Sequence, residues 1–407
     1  MKKNCIALFT GQGAQYVNML DEFVEKDMDT LKRASDVLGY DILEMSREKD
    51  KIFKTEYSQP LNFVYEYLKF KEFSKYNATI MIGHSMGEFV ALTCAGVLDF
   101  AAGLKLIMMR AKCMSKVKAG YRMFSVMGIT NKEVEKLCNC NYSNIQRESD
   151  SYNDNRIQIR SNSSTEILVS NYNGKKQTIV TVQKDQIDSF KELFKKEYPK
   201  VLIKDLKLDY PFHTIHMKNC ADEFKKIIDK TEFVKSDIKI ILNATGRMFD
   251  LNRPTLLKKY LVEQMYRPVR FTDCLKEGFL SGEKIWIEFG PKPVLSKMAM
   301  REYKDVKAFS VSQIGAKTNI KDVTFTPKIQ EKDIIAKLKE YLYILSTTET
   351  KNVDELECKE ISKKYRLLSK MYSSYAKQDT NEKNEDEDYQ YQYNYAKKIF
   401  EEAMLLK

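Results

Sequence analysis

The 407-residue sequence lacks any run of uncharged apolar residues long enough to cross a bilayer as a helix, which needs about 18 of them. Its most apolar stretch, residues 90–109, is interrupted by Asp99 and Lys105. The amino terminus carries two lysines before an apolar run, but the run is shorter than the core of a signal peptide and no small-residue cleavage site follows. We therefore expect no membrane span, and the run is predicted to be a first β-strand.

Cysteine and histidine are too sparse or too scattered to form a metal site. The eight cysteines contain one close pair, Cys138 and Cys140, with no histidine nearby to complete a zinc site. Reduced thiols in a cytoplasm fit this distribution best. The net charge of +11 is spread along the chain, which argues against a nucleic-acid groove and favours the approach of an anionic partner.

Short unalternated apolar runs alternate with amphipathic segments, a pattern typical of an α/β fold with a buried parallel sheet. The predicted strands of this large subdomain are residues 5–10, 78–83, 238–242 and 285–289. We assign it to residues 1–120 and 206–315 and expect it to resemble an α/β-hydrolase.

A second, smaller subdomain is predicted at residues 121–205, inserted in the first. Its strand, helix, strand, helix order with a closing strand resembles a ferredoxin-like α+β fold. Residues 139–165 within it are rich in Asn and Ser and are predicted to form a loop. Residues 316–407 are predicted to be a polar helical extension, partly disordered, with helices at 334–345 and 356–372.

The sharpest local motif is Gly83-His84-Ser85-Met86-Gly87, placed between a predicted strand and a predicted helix. This arrangement is typical of a nucleophile elbow, in which two glycines permit a tight turn that lifts the serine hydroxyl from the sheet. A serine hydroxyl needs a base to become a nucleophile. His84 lies inside the elbow and points away from the hydroxyl, so the base is predicted to be His213 or His216. A metal site on that pair lacks a third ligand, and no metal is expected.

No histidine follows residue 216, which weakens a lipase or esterase assignment. Six motifs in order, between residue 5 and about residue 300, together resemble the malonyl-CoA:acyl carrier protein transacylase family, including trans-acting acyltransferases of polyketide synthases. They are Gly11-Gln12-Gly13-Ala14-Gln15, Gly83 to Glu88, Met109 to Met114, Pro211-Phe212-His213, Gln264 to Phe271 and Glu288-Phe289-Gly290-Pro291.

The resemblance implies roles for five residues. Ser85 would carry the acyl group as an ester, and His213 would be the base. The main-chain N–H groups of Gln12 and Met86 would form the oxyanion hole. The main-chain carbonyl of Gln264 would orient the histidine in place of an acidic residue.

Arg110 lies in an apolar segment predicted to be a buried helix, where an unpaired guanidinium would be costly. Its planar fork suits a bidentate grip on the free carboxylate of a malonyl group. The alternative is a structural salt bridge to a glutamate such as Glu88. Phe212 resembles the malonyl-selective form of its motif. Further candidate pocket residues by resemblance are Gln59, His84, Asn171 and Asn173.

The resulting hypothesis is an acyltransferase that moves malonyl from coenzyme A to the phosphopantetheine thiol of an acidic acyl carrier protein, in fatty-acid or polyketide synthesis. Malonyl-CoA is then a substrate, and no permanently bound cofactor, nucleic acid or membrane is expected. A synthase complex contacted through residues 316–407 is a further candidate partner. The alternatives are a hydrolase that clears acyl groups from carrier proteins and a non-catalytic carrier-docking protein.

Overall fold

The structure, a computed structural model, describes most of the chain in two compact units, Met1–Thr318 and Asn319–Lys407. The described residues are 3–73, 76–117, 120–138, 166–313, 331–347, 355–376, 396, 399–401, 403 and 404. The predicted loop at 139–165 and the predicted disordered part of the extension lie outside them. No helix within these ranges combines the length and the apolar character needed to span a membrane.

The first unit contains ten strands in two sheets. The strands are β1 (Lys3–Phe9), β2 (Tyr76–Gly83), β3 (Tyr121–Met127), β4 (Ile167–Gly174), β5 (Gln177–Gln183), β6 (Leu202–Asp205), β7 (Lys239–Leu242), β8 (Arg247–Phe249), β9 (Ile285–Glu288) and β10 (Lys307–Ser310). The larger sheet has the order β10-β9-β1-β2-β7-β8 and is parallel except for the β7–β8 pair. The smaller sheet, β4-β5-β3-β6, is antiparallel throughout. The predicted α/β class is confirmed at this level.

The larger sheet is buried on both faces, which explains why its strands do not alternate in polarity. Along β1, Ala7 and Phe9 belong to one apolar cluster, whereas Ile6 and Leu8 belong to another. All four side chains are fully buried. The strands predicted at 5–10, 78–83, 238–242 and 285–289 are present as β1, β2, β7 and β9.

Eleven α-helices are described in the first unit. They are α1 (Met28–Leu38), α2 (Ile42–Arg47), α3 (Thr55–Glu72), α4 (Gly87–Cys94), α5 (Phe100–Ser115), α6 (Asn131–Leu137), α7 (Ile187–Glu197), α8 (Lys218–Ile228), α9 (Pro254–Glu263), α10 (Phe271–Leu280) and α11 (Leu295–Glu302). Helix α5 begins where Asp99 Oδ1 accepts hydrogen bonds from the N–H groups of Ala101 and Ala102, at 2.8 and 3.0 Å. This cap fixes the start of the helix that carries Arg110.

Buried glutamate Glu288 ends β9 and caps α11. Its carboxylate accepts hydrogen bonds from the main-chain N–H groups of Val294, Leu295 and Ser296. A carboxylate at a helix amino terminus satisfies otherwise unpaired donors and is favoured by the helix dipole. Glu288, part of one of the recognised motifs, therefore has a structural function here.

Strand β4 was not predicted from the sequence. It directly follows the Asn- and Ser-rich segment, and it contains polar residues at buried positions, among them Ser170, Asn171 and Asn173. The Ser170 hydroxyl lies 2.7 Å from that of Thr181 on β5, so the buried polar group has a partner across the sheet. Because paired polar residues can occupy buried positions of a strand, the sequence of β4 lacks the apolar pattern from which strands are predicted.

The second unit contains α12 (Glu331–Thr347) and α13 (Glu355–Ala376), where the sequence predicted two helices. Leu338 and Leu368, one from each helix, are fully buried in a small apolar cluster that also includes Phe400. The ring of Tyr341 stacks on that of Phe400 at a centroid distance of 4.3 Å. This unit therefore has an apolar core of its own.

Candidate active site

Ser85 stands at the sharp turn between β2 and α4, with a backbone φ of +55°. Two glycines make this turn possible. A Cβ at Gly83 would lie 2.1 Å from the main-chain nitrogen of Glu88, and a Cβ at Gly87 would lie 2.3 Å from the carbonyl oxygen of Phe9. Any larger residue at either position would collide with main-chain atoms, so the turn requires both glycines.

The turn is braced by Asn243, which sequence reasoning missed. The Ser85 N–H donates to Asn243 Oδ1 at 2.7 Å, and Asn243 Nδ2 donates to the Gly83 carbonyl, also at 2.7 Å. Asn243 follows β7, the parallel neighbour of β2, so the two carboxyl ends meet at one edge of the sheet. The sequence signal that could have identified Asn243 is its position as a polar residue directly after a buried apolar strand.

His213 is the histidine in contact with Ser85. Its Nε2 lies 2.8 Å from Ser85 Oγ, and its Nδ1 lies 2.6 Å from the main-chain carbonyl oxygen of Gln264. A carbonyl only accepts, so the proton belongs on Nδ1 and Nε2 is left to accept the serine hydroxyl proton. This is the arrangement of a general base on a nucleophile.

Burial sets the protonation state of His213. Burial above all, together with the nearby positive charge of Arg110, lowers the pKa of the imidazole to about 3, against the opposing effect of the Gln264 carbonyl. The imidazole is therefore neutral, and able to accept a proton, across the neutral pH range.

The other two histidines have different partners. His216 Nε2 lies 3.1 Å from Glu166 Oε2, and its ring packs against Tyr121. His84 Nε2 lies 2.9 Å from Asn173 Oδ1, away from the serine hydroxyl. The alternative in which His213 and His216 share a metal does not fit these contacts, because the two side chains have separate partners.

Arg110 reaches the same serine from α5. It is fully buried, and its Nη2 donates to Ser85 Oγ at 3.0 Å and to Gln264 Oε1 at 2.9 Å. Nη1 donates to Gln59 Oε1 at 2.7 Å. Burial lowers the pKa of Arg110 to about 10, which leaves it charged at neutral pH. A cation donating to the serine oxygen favours the negative charge that develops there when the proton leaves.

The alternative of a structural salt bridge between Arg110 and Glu88 is not what the structure contains. The side-chain amide of Gln264 lies between them, donating through Nε2 to Glu88 Oε2 and accepting through Oε1 from Arg110. Within the described residues Arg110 forms no ion pair, and its Nε has no hydrogen-bond partner. The guanidinium of Arg110 is therefore held by the neutral side-chain amides of Gln59 and Gln264.

The remaining predicted site residues are Met86, Gln12, Phe212 and Asn171. Met86 is the amino-terminal cap residue of α4, next to Ser85, and the Gln12 side chain contacts Gln59 and Thr55. In the described part of the chain, the main-chain N–H groups of Met86 and Gln12 donate to no other group of the protein, as an oxyanion hole requires. Phe212 stacks on Tyr210, and Asn171 is buried in β4; no described contact joins either to Ser85.

Comparison with known proteins places this geometry in a family. The model of the acyl transferase domain matches residues 138–354, more than half of the chain. The chain belongs to the acyl transferase domain family. The matched segment contains His213 and Gln264, whereas Ser85 and Arg110 precede it.

Individual relatives extend the similarity to about three quarters of the chain. The chain is 28% identical over 327 residues to the malonyl CoA-acyl carrier protein transacylase of Haemophilus influenzae, covering 78% of this chain and 97% of that protein. It is 25% identical to the polyketide biosynthesis malonyl CoA-acyl carrier protein transacylase PksC of Bacillus subtilis, covering 74% and 98%. The solved structure of an acyl carrier protein S-malonyltransferase from Vibrio cholerae matches with a TM-score of 0.64 at 27% identity, covering 76% and 96%.

The low pKa of His213 predicts how the reactivity of Ser85 depends on pH. The His213 imidazole is neutral, and able to accept a proton, above a pH of about 3, and it becomes protonated only as the pH falls through that value. The rate at which a fluorophosphonate labels Ser85 should therefore change less than about twofold between pH 5 and pH 7.5. An imidazole with the ordinary pKa of about 6.5 would give a decrease of roughly thirtyfold over this range, and that result would contradict the prediction.

Proposed function

We propose that the protein transfers a malonyl group from coenzyme A to the phosphopantetheine thiol of an acyl carrier protein, through an ester on Ser85. The observation that carries this proposal is the convergence on Ser85 Oγ of a neutral base and a cation, His213 Nε2 at 2.8 Å and Arg110 Nη2 at 3.0 Å. The names of the relatives in Haemophilus influenzae and Bacillus subtilis support the same activity.

In the first half-reaction, Ser85 Oγ attacks the thioester carbonyl while His213 Nε2 takes the hydroxyl proton. The main-chain N–H groups of Gln12 and Met86 would stabilise the oxyanion of the tetrahedral intermediate. Its collapse breaks the carbon–sulfur bond, and His213 returns the proton to the departing thiolate of coenzyme A. In the second half-reaction the pantetheine thiol gives its proton to His213 and attacks the ester carbonyl. The bond between this carbon and Ser85 Oγ then breaks, and His213 returns the proton to Oγ, which regenerates Ser85.

Arg110 would select a carboxylated acyl group. A buried cation held by the amide oxygens of Gln59 and Gln264 presents a charge that no carboxylate in its own surroundings neutralises. The free carboxylate of malonyl would neutralise this charge through a short, charge-assisted hydrogen bond. A neutral acyl chain such as acetyl offers no such partner. In this proposal His84, Asn171, Asn173 and Phe212 shape the surrounding pocket.

The architecture is consistent with a finer division of the first unit. The chain order β3, α6, β4, β5, α7, β6 with the sheet order β4-β5-β3-β6 supports a small ferredoxin-like subdomain at residues 121–205. Residues 1–120 and 206–315 would then form an α/β-hydrolase-like subdomain, with residues 316–407 as an extension.

The carrier protein is proposed to be acidic, because the net charge of +11 would accelerate its approach. The route served is fatty-acid or trans-acting polyketide synthesis, and the curated relatives include proteins named for each. The scattered cysteines support a cytoplasmic location. The extension would contact a synthase complex.

Replacement of the serine tests the covalent route. Ser85→Ala should abolish both the malonyl adduct, a mass increase on the intact protein after incubation with malonyl-CoA, and transfer to a carrier protein, because no other residue supplies the ester oxygen. His216→Ala is the matched control and should retain most of the activity, since His216 contacts Glu166 instead of Ser85. Substantial malonyl transfer by the alanine variant would refute the route through Ser85.

Replacement of the arginine tests the substrate. Arg110→Ala should lower the rate of acylation by malonyl-CoA at least tenfold to a hundredfold, since a hydrogen bond to a charged group contributes about 1.5 to 3 kcal/mol. Acylation by acetyl-CoA should decrease much less, because it loses only the contact of Arg110 with Ser85 Oγ and involves no carboxylate. Rates come from intact-mass time courses. An equal loss with both substrates in a folded variant would assign Arg110 a structural role.

Removal of the extension tests where the chemistry lies. A chain ending at Thr318 should form the malonyl ester at a rate within about twofold of the full chain, since the described contacts of Ser85, His213 and Arg110 all lie in the first unit. Transfer to the carrier protein is measured in parallel, and a selective decrease there would identify the extension as a docking element. Loss of ester formation by the folded, shortened chain would contradict the prediction.

A further inference from the structure

Glu88 is a buried carboxylate that the proposed mechanism does not use, although it lies directly behind the site. It is on α4, one turn from Ser85, and only 1% of its surface is exposed. Its Oε1 accepts a hydrogen bond from the main-chain N–H of Asn243 at 2.6 Å, and its Oε2 accepts one from Gln264 Nε2. Burial raises the pKa of Glu88 to about 8, whereas the two N–H donors that occupy its oxygens, and the charge of Arg110, favour the ionised form.

Glu88, the Ser85 carbonyl and Arg110 together determine which way the side-chain amide of Gln264 faces, and Glu88 is the charged one of its two acceptors. A carboxylate oxygen that accepts requires a donor, so the NH2 group of Gln264 faces Glu88 and also reaches the Ser85 carbonyl oxygen at 2.8 Å. The amide oxygen must then face the opposite way, where it accepts from Arg110 Nη2. A rotated amide would place two donors against each other at Arg110.

Gln264 also acts as a spacer between opposite charges. If Glu88 contacted Arg110 directly, the ion pair would occupy the guanidinium fork and neutralise it. The intervening amide keeps the carboxylate close enough to favour the charged form of Arg110, which it does through space, but leaves the fork bound only to neutral oxygens. A carboxylate partner from outside the protein therefore remains the strongest ligand available to Arg110.

We propose that Glu88 is a positioning residue that fixes the Gln264 amide and, through it, the orientation of Arg110 toward the carboxylate of the acyl group. It touches neither substrate nor the reacting atoms. Its effect is on the preference for a carboxylated over a neutral acyl group, and in this respect the inference rests on the proposed function.

The variant Glu88→Gln isolates this role, because it preserves the shape of the side chain. A glutamine has one oxygen, and the main-chain N–H of Asn243 cannot rotate to accommodate an NH2 group. The oxygen would therefore stay with Asn243 and the new NH2 group would face Gln264. The Gln264 amide cannot rotate without also losing its contact with the Ser85 carbonyl, so it would be pushed away from residue 88, which displaces the oxygen that accepts from Arg110 Nη2.

We expect Glu88→Gln to lower the rate of Ser85 acylation by malonyl-CoA about tenfold or more, and to change that by acetyl-CoA less than about threefold. Glu288→Gln is the matched control, since Glu288 is equally buried and caps α11 instead of contacting Gln264. It should leave the malonyl-to-acetyl ratio unchanged even if it lowers the melting temperature. An equal decrease with both substrates in Glu88→Gln, or no decrease in either, would overturn the proposal.

A crystal structure of each protein provides a readout that is independent of substrate. The Glu88→Gln structure should show the Arg110 guanidinium displaced or its contact with the Gln264 side chain lost. If the wild-type protein formed no malonyl ester, the proposed function would fail, and these structures would still decide the role of Glu88. An Arg110 fork unmoved in the variant would refute the role.

Discussion

The burial of one guanidinium among neutral amides is the constraint on which the rest of the site depends. Arg110 is inaccessible to solvent, and the desolvation of an ion costs several kcal/mol unless hydrogen bonds replace the lost water. The protein supplies these bonds from Gln59, Gln264 and Ser85, none of which is charged. The result is a cation whose nearest carboxylate, Glu88, is held behind a glutamine.

Gln264 connects the two chemical functions of the site. Its main-chain carbonyl orients the His213 ring, and its side chain holds both Arg110 and Glu88. It is also the carboxyl-terminal cap of α9, where its N–H bonds to the Tyr260 carbonyl. A single residue anchored at a helix end thus couples the orientation of the His213 ring to that of the Arg110 guanidinium.

Both residues that meet at the site, Ser85 and His213, have left-handed backbone conformations, with φ of +55° and +60°. A non-glycine residue in this region costs on the order of 1 to 3 kcal/mol and persists only where the surroundings hold it. For Ser85, the surroundings are the two glycines and the buried Asn243. For His213, the surroundings are the hydrogen bonds at both ring nitrogens, which hold the side chain in place.

The sequence alone determined the features that depend on neighbouring residues. Apolar runs specify buried strands, the two glycines around Ser85 specify a tight turn, and an arginine within an apolar helix indicates a buried charge that needs a partner. Strand β4 escaped prediction because its buried polar groups are paired across the sheet. The α/β class and the acyl transferase family therefore followed from local patterns and from the order of the motifs.

Only the tertiary structure decided which groups meet. By spacing and chemistry alone, His213 and His216 were equivalent, and the sequence chose between them only through the family resemblance. The structure shows that His213 contacts Ser85, whereas His216 contacts Glu166. The Asn243 brace and the bridge from Glu88 through Gln264 to Arg110 join residues 150 or more positions apart in most of their contacts. Such partners are set by which strand ends and helix ends pack together around a buried charge, and neither hydrophobic periodicity nor residue spacing encodes that.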